Sequence, residues 1–200
     1  MKNILLICMM IFSLVLSWGA VIAEEGFYVI AVKKNNFASV PITGQTTSYA
    51  TGDDGQLEKG VAWPNPRFTD NGDGTVTDNL TGLIWLKDTN CRGQRTWADA
   101  LSDCNTLNSG ECELTDGSSE GDWRLPNIKE LQSLIDYGQA TPALPSGYYD
   151  FFTPTIGIYW SNTTDADDTG NAWYVALSHG YVYYEGKTYD HYVWPVRGGQ

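Results

Sequence analysis

The sequence predicts an α+β domain, and three observations carry that prediction. Helix-periodic runs follow Thr96 and Asn127, short runs with turn signals at their ends flank them on both sides, and no repeated strand–helix–strand unit links them. Two helices are therefore grouped between two sets of strands, and small antiparallel sheets are the expected arrangement.

Phe68 to Leu86 divides into three short strands. Asn71-Gly72-Asp73-Gly74 turns the first into Thr75-Val76-Thr77, and Asn79-Leu80-Thr81-Gly82 turns the second into Leu83-Ile84-Trp85-Leu86. Asn, Asp and Gly supply turn conformations that other residues resist. Thr96 then caps a helix to about Leu107, with Trp97, Leu101, Cys104 and Leu107 or Asn108 on one face and Gly110 as the stop. The second helix is predicted from Asn127 to about Tyr137. Asn127 is its N-cap, Glu130 completes a capping box, and Ile128, Leu131, Leu134 and Ile135 recur at helical spacing until Gly138. Just before it, Arg124 stands charged among apolar neighbours, which predicts a buried or half-buried ion pair.

Thr141 to Thr155 reads as a proline-punctuated loop carrying Tyr148, Tyr149, Phe151 and Phe152. Strands resume at Ala172 to Ser178, where Trp173, Val175 and Leu177 alternate and should face the core. Tyr181 to Tyr184 and Tyr192 to Val196 supply two more, and Pro195 makes the last an edge strand or a bulge.

The first 23 residues read as a signal peptide: Lys2, an apolar run from Ile4 to Leu16, and Val21-Ile22-Ala23 before the cut. The run is shorter than the roughly 20 residues of a membrane span, so no transmembrane anchor is expected. Cys8 has no small residue before it, which argues against a lipoprotein. Residues 24–66 form an N-terminal extension, including an apolar patch at Phe27 to Val32 that suits an added strand, and a wrapping loop; 67–200 form the domain. The expected location is outside the cytoplasm: periplasmic, cell-surface or secreted.

The net charge of −12 disfavours nucleic acid, anionic lipid and sulfated polysaccharide, because no Lys/Arg run segregates the few basic residues. After removal of the leader, Cys91, Cys104 and Cys112 remain. An odd number in an exported chain means one pair and a free thiol, or an intermolecular bond. Cys104 stands at helical spacing from Trp97 and Leu101, as a small buried hydrophobe would.

Fourteen of the 26 aromatics fall between Tyr148 and Trp194. Trp160, Trp173 and Trp194 are expected inward, whereas Tyr181, Tyr183, Tyr189 and Tyr192 exceed what one small core encloses and are the candidate ligand-binding residues. Asp165, Asp167, Asp168 and Asn171 place oxygen ligands as in the first half of a calcium loop, but Ala176 stands where the closing glutamate belongs. Ordinary turn chemistry also accounts for them, so no cofactor is expected beyond that possible Ca2+. No catalytic residues are assigned. His179 and His191 lack a nucleophile in a recognisable motif and read as surface or interfacial, and Glu130 and Asp136 lie on different helix faces, unsuited to glycoside hydrolysis.

Taken in order, Arg67 to Asp78, Thr81 to Trp85, Gly121 to Leu131, Tyr159-Trp160-Ser161 and Ala172 to Val175 resemble the C-terminal domain family of the Legionella collagen-like adhesin, over about Pro41 to Arg197. The resemblance implies a C-type-lectin-like fold that displays a binding surface on loops and a small sheet. It also implies a Cys91–Cys112 disulfide, with Cys104 at a position often alanine in similar sequences. The resemblance implies little about the ligand, but with the aromatic surplus it makes an exported, non-enzymatic module that binds a glycan or protein partner at the cell envelope the expected function. Alternatives are a structural component of an envelope complex and, behind it, a glycosidase-type enzyme or a relative of the formylglycine-generating oxidases, whose copper chemistry needs a cysteine pair that a 91–112 bridge removes. The adhesin's recognition of sulfated glycosaminoglycans does not carry over to so acidic a chain. The Glu-Pro-Asn or Gln-Pro-Asp triplet of calcium-dependent sugar binding is also missing.

Overall fold

The computed structural model describes residues 40–153 and 155–198. The leader, the Phe27 to Val32 patch and the rest of residues 1–39 lie outside the described residues. Among the described residues no helix is long and apolar enough to cross a membrane.

The domain is α+β, as expected. One helical turn, α1 (Asp54–Leu57), precedes β1 (Phe68–Asp70), β2 (Thr75–Asp78), β3 (Leu83–Leu86) and β4 (Gln94–Arg95). Helices α2 (Trp97–Asn105) and α3 (Ile128–Gln132) and a turn, α4 (Tyr148–Phe151), come next. β5 (Ile158–Thr164), β6 (Asn171–Ala176), β7 (Tyr181–Gly186), β8 (His191–Tyr192) and β9 (Val196–Gly198) complete the chain. One sheet has the order β1-β2-β3-β9 and is antiparallel throughout. The other, β4-β8-β5-β6-β7, is antiparallel except where β8 lies parallel to β5.

The opening hairpins follow from their turn residues. Asp70 accepts the Gly72 amide at 2.9 Å, Asp73 accepts both the amide and the hydroxyl of Thr75, and Gly74 takes φ +86°. A side chain on Gly74 would lie 2.6 Å from the Glu113 carbonyl, so glycine also admits the segment that carries Cys112. At the second turn Asp78, fully buried, accepts from the Leu80 amide and the Thr81 hydroxyl. It also pairs with buried Arg67 at 3.3 Å.

Arg67 explains why the second helix is shorter than its periodicity predicts. The capping box at Asn127 and Glu130 is present, but the helix ends at Gln132 instead of about Tyr137. The Ser133 carbonyl, which a continuing helix would offer to Tyr137, accepts from Arg67 Nη2 at 2.5 Å. The Asp136 amide goes to Ala143 and the Tyr137 amide to Thr43. Two tighter turns, Leu134 to Leu131 and Ile135 to Gln132, keep the apolar side chains pointing inward. Gly138 acts by close approach, since a side chain there would meet the Gly44 carbonyl at 2.4 Å.

The main core lies between the two sheets and centres on Trp194. Trp85, Phe152, Tyr159 and Tyr148 pack round it at 4.9, 5.1, 5.6 and 6.0 Å, and its indole N–H donates to the Leu86 carbonyl at 2.8 Å. Part of the predicted proline-rich loop is thus core, because Tyr148 and Phe152 are buried. Pro195 does not sit inside one edge strand. It separates β8 from β9, so the predicted last strand belongs half to each sheet. A second cluster under α2 joins Ala100, Cys104, Leu125, Trp160, Ala172 and Val193. Both faces of β5–β6 are therefore covered, which is why Ala172 is buried alongside Val175 and Leu177; Trp173, expected inward, is only half-buried, packed against Tyr184 of the edge strand.

The Cys91–Cys112 disulfide is present, with the Cα atoms 5.6 Å apart. It brackets α2, and Cys104 is free and buried.

Candidate functional site

The tyrosines singled out in the sequence divide by strand position. β7 is the edge of the five-stranded sheet, and on or beside it Tyr181, Tyr183 and Tyr189 are 66%, 56% and 58% exposed. Tyr192 stands apart: on β8 it is half-buried, 5.4 Å from Tyr159 and packed against the main core, with Gly157 leaving room for its ring. The position next to the Trp194 core decides this, and local sequence does not reveal it.

Edge geometry shapes the exposed set. Tyr183 and Tyr184 are neighbours in a strand, where side chains normally alternate between faces, yet their rings lie 4.7 Å apart and 12° from parallel. Both therefore turn outward round the open edge. Tyr181 stacks on exposed His179 at 5.5 Å, while Tyr174 and Trp173 on β6 meet Tyr183 and Tyr184 edge-on at 6.4 and 5.4 Å. Gly186 completes the surface, since a side chain there would come within 3.3 Å of the Tyr189 ring. Tyr174, Trp173, Tyr184 and Gly186 are not among the site residues read from the sequence, where alternation points Trp173 inward; the register that pairs Tyr174 with Tyr183 and Trp173 with Tyr184 brings them to the surface set.

His191 corrects an expectation. It is buried instead of superficial, 4.3 Å from Trp160 and 5.3 Å from Tyr174, and its Nε2 lies 2.8 Å from Glu185. Burial holds its pKa below the ordinary histidine value, and the Glu185 carboxylate opposes that shift. His179 is exposed, as expected.

The Asp165 to Asn171 loop adjoins β7, with the Lys187 amide donating to Gly170 at 2.9 Å. Two of its carboxylates serve turns: Asp165 accepts the Asp167 amide, and Asp168 accepts from the Gly170 amide and the Asn171 side chain. Among the described residues no three His, Cys, Asp or Glu side chains converge as metal ligands. Tyr183 beside it raises the pKa of the Tyr184 phenol, and Asp165 and Asp167 add the least to that shift.

Elsewhere the charged candidates are committed to structure. Glu130 receives both terminal nitrogens of Arg124 at 2.7 Å and the Asn127 amide at 2.8 Å, the half-exposed ion pair expected of Arg124. Asp136 accepts the Gly138 amide, and burial raises its pKa. Burial likewise pushes the Cys104 thiol far up, which leaves it unreactive.

The profile of the Lcl C-terminal domain family matches residues 74–197, from the start of β2 into β9. No curated protein matches the chain.

Proposed function

Because the chain belongs to the Lcl C-terminal domain family, we propose that it is an exported, non-enzymatic recognition module binding a glycan or protein partner at the cell envelope. One observation carries this reading: Tyr181, Tyr183 and Tyr184 on the edge strand β7, and Tyr189 just beyond it, are exposed to solvent side by side on one sheet. Such faces bury large area on contact and keep a polar tip for hydrogen bonding. The resemblance to C-type lectins supports the same use of sheet and loop. The net charge of −12 disfavours sulfated polysaccharides and nucleic acid as ligands.

Glycan arrays and pull-downs with the wild-type chain and a Tyr181→Ala/Tyr183→Ala variant test the reading. A ligand retained by wild type and lost by the variant is expected. Absence of any ligand at high micromolar protein would remove it. An assembly role through an intermolecular disulfide is less well supported, because the unpaired Cys104 is fully buried.

A further inference from the structure

The β7 surface combines exposed aromatic faces with an excess of carboxylates. Asp167, Asp168 and Asp190 are exposed and Glu185 is half-buried, all on or next to the elements that carry Tyr181, Tyr183, Tyr184 and Tyr189. Lys187 is the sole Lys or Arg between Lys129 and Arg197, and it is engaged. Its ammonium donates to the Thr164 hydroxyl and the Thr169 carbonyl, each at 2.9 Å, and lies 4.0 Å from the centre of the Trp97 ring. Among the described residues of that stretch, no Lys or Arg side chain is left to balance the aromatic strip.

A negative field over tyrosine faces selects for a cation, which gains from the ring quadrupole and the carboxylates together. Elsewhere the molecule makes such contacts itself: Arg67 lies 4.5 Å over Trp63 and Arg197 5.0 Å over Trp123. Spacing favours one kind of carrier. Tyr181, Tyr183 and Glu185 share a face, as their partners Ala176, Tyr174 and Ala172 show, and so repeat every second residue along the strand. An extended peptide presents its alternate side chains at the same interval, about 6.8 Å. We infer that the β7 strip takes an extended, arginine-bearing protein segment, with guanidinium groups on the ring faces of Tyr181 and Tyr183 that His179 and Tyr184 leave open, within the negative field of Glu185 and the adjoining Asp167 loop. This rests on the recognition reading of the same surface and names its partner class.

Fluorescence anisotropy on the full chain tests it, with labelled octa-arginine, octa-lysine and a neutral N-acetylglucosamine hexamer as probes. Octa-arginine should bind more tightly than octa-lysine, because a planar guanidinium stacks where an ammonium acts as a point charge. Loss of two such contacts in Tyr181→Ala/Tyr183→Ala should weaken octa-arginine binding about tenfold. Asp167→Asn should weaken it further and flatten its salt dependence. Both tyrosines are exposed, and an unchanged circular dichroism spectrum would show that the fold survives. Equal affinity for the two cationic peptides, or for wild type and the tyrosine variant, would reduce the effect to diffuse attraction and overturn the inference. If the hexamer binds through the tyrosines and octa-arginine does not, recognition stands and the cationic partner falls. If the tyrosine variant keeps every ligand found by array and pull-down, the recognition surface itself is wrong.

Discussion

Removing the Cys91–Cys112 bridge with a Cys91→Ala/Cys112→Ala double variant should lower stability by an amount that the structure allows one to work out. The bridge spans 21 residues and closes a loop that holds β4 and α2. In the chain-entropy model a loop of that length restricts the unfolded chain by ~3 kcal/mol at 25 °C. Both cysteines are only half-buried against the core, so lost packing adds little. The Arg92–Glu111 pair at 2.6 Å joins the same two segments, but an exposed ion pair substitutes for about 1 kcal/mol at most. For a domain of this size, ~3 kcal/mol corresponds to a fall in melting temperature of about 6–12 °C. Thermal unfolding followed by circular dichroism measures it, with reduced wild type as the control. A fall under about 2 °C would refute the reasoning, because the unfolded chain would then already be confined without the bridge. Non-reducing peptide mapping adds a separate check, and a Cys104–Cys112 peptide would contradict the assignment.

Cys104 should be alkylated only after denaturant unfolds the domain, and Cys104→Ala should cost about 1 kcal/mol or less, read from urea midpoints. Asn127→Ala removes the acceptor for two amides at the start of α3 and should cost about 1 kcal/mol in the same assay, whereas Asn127→Ser should restore most of it. His191 has a pKa below its ordinary value, so the unfolded chain binds more protons between the two values. Stability should therefore fall as pH drops from about 6.5 toward the depressed folded pKa and be unaffected above that window. Nuclear magnetic resonance titration of the imidazole reads this directly. Glu185→Gln removes the opposing carboxylate and should depress the His191 value further, and an upward shift would contradict the assigned contact.

Local chemistry is legible wherever a residue acts on its immediate neighbours. The two opening hairpins, the Thr96 and Asn127 caps, the capping box at Glu130 and the burial of Cys104 all follow from residues a few positions apart, and the structure has each of them. The family was likewise readable from motifs in order along the chain, and the disulfide through the family. Decisions between distant segments were not. Gln132 ends α3 because Arg67, 66 residues before Ser133, takes the carbonyl that the next turn needed. Pro195 divides one apparent strand between two sheets, and Ala172 is buried because α2 covers its face of β5–β6, whereas Trp173 packs half-buried on Tyr184 of the edge strand. The candidate site shows the same division. Composition revealed a surplus of tyrosine, but only the strand order placed Tyr181, Tyr183 and Tyr189 at a free edge while Tyr192 and His191 were packed inside. Side-chain periodicity records which residues prefer burial, and exposure depends on which element arrives to cover them. That is set by the tertiary pairing of residues far apart in the chain.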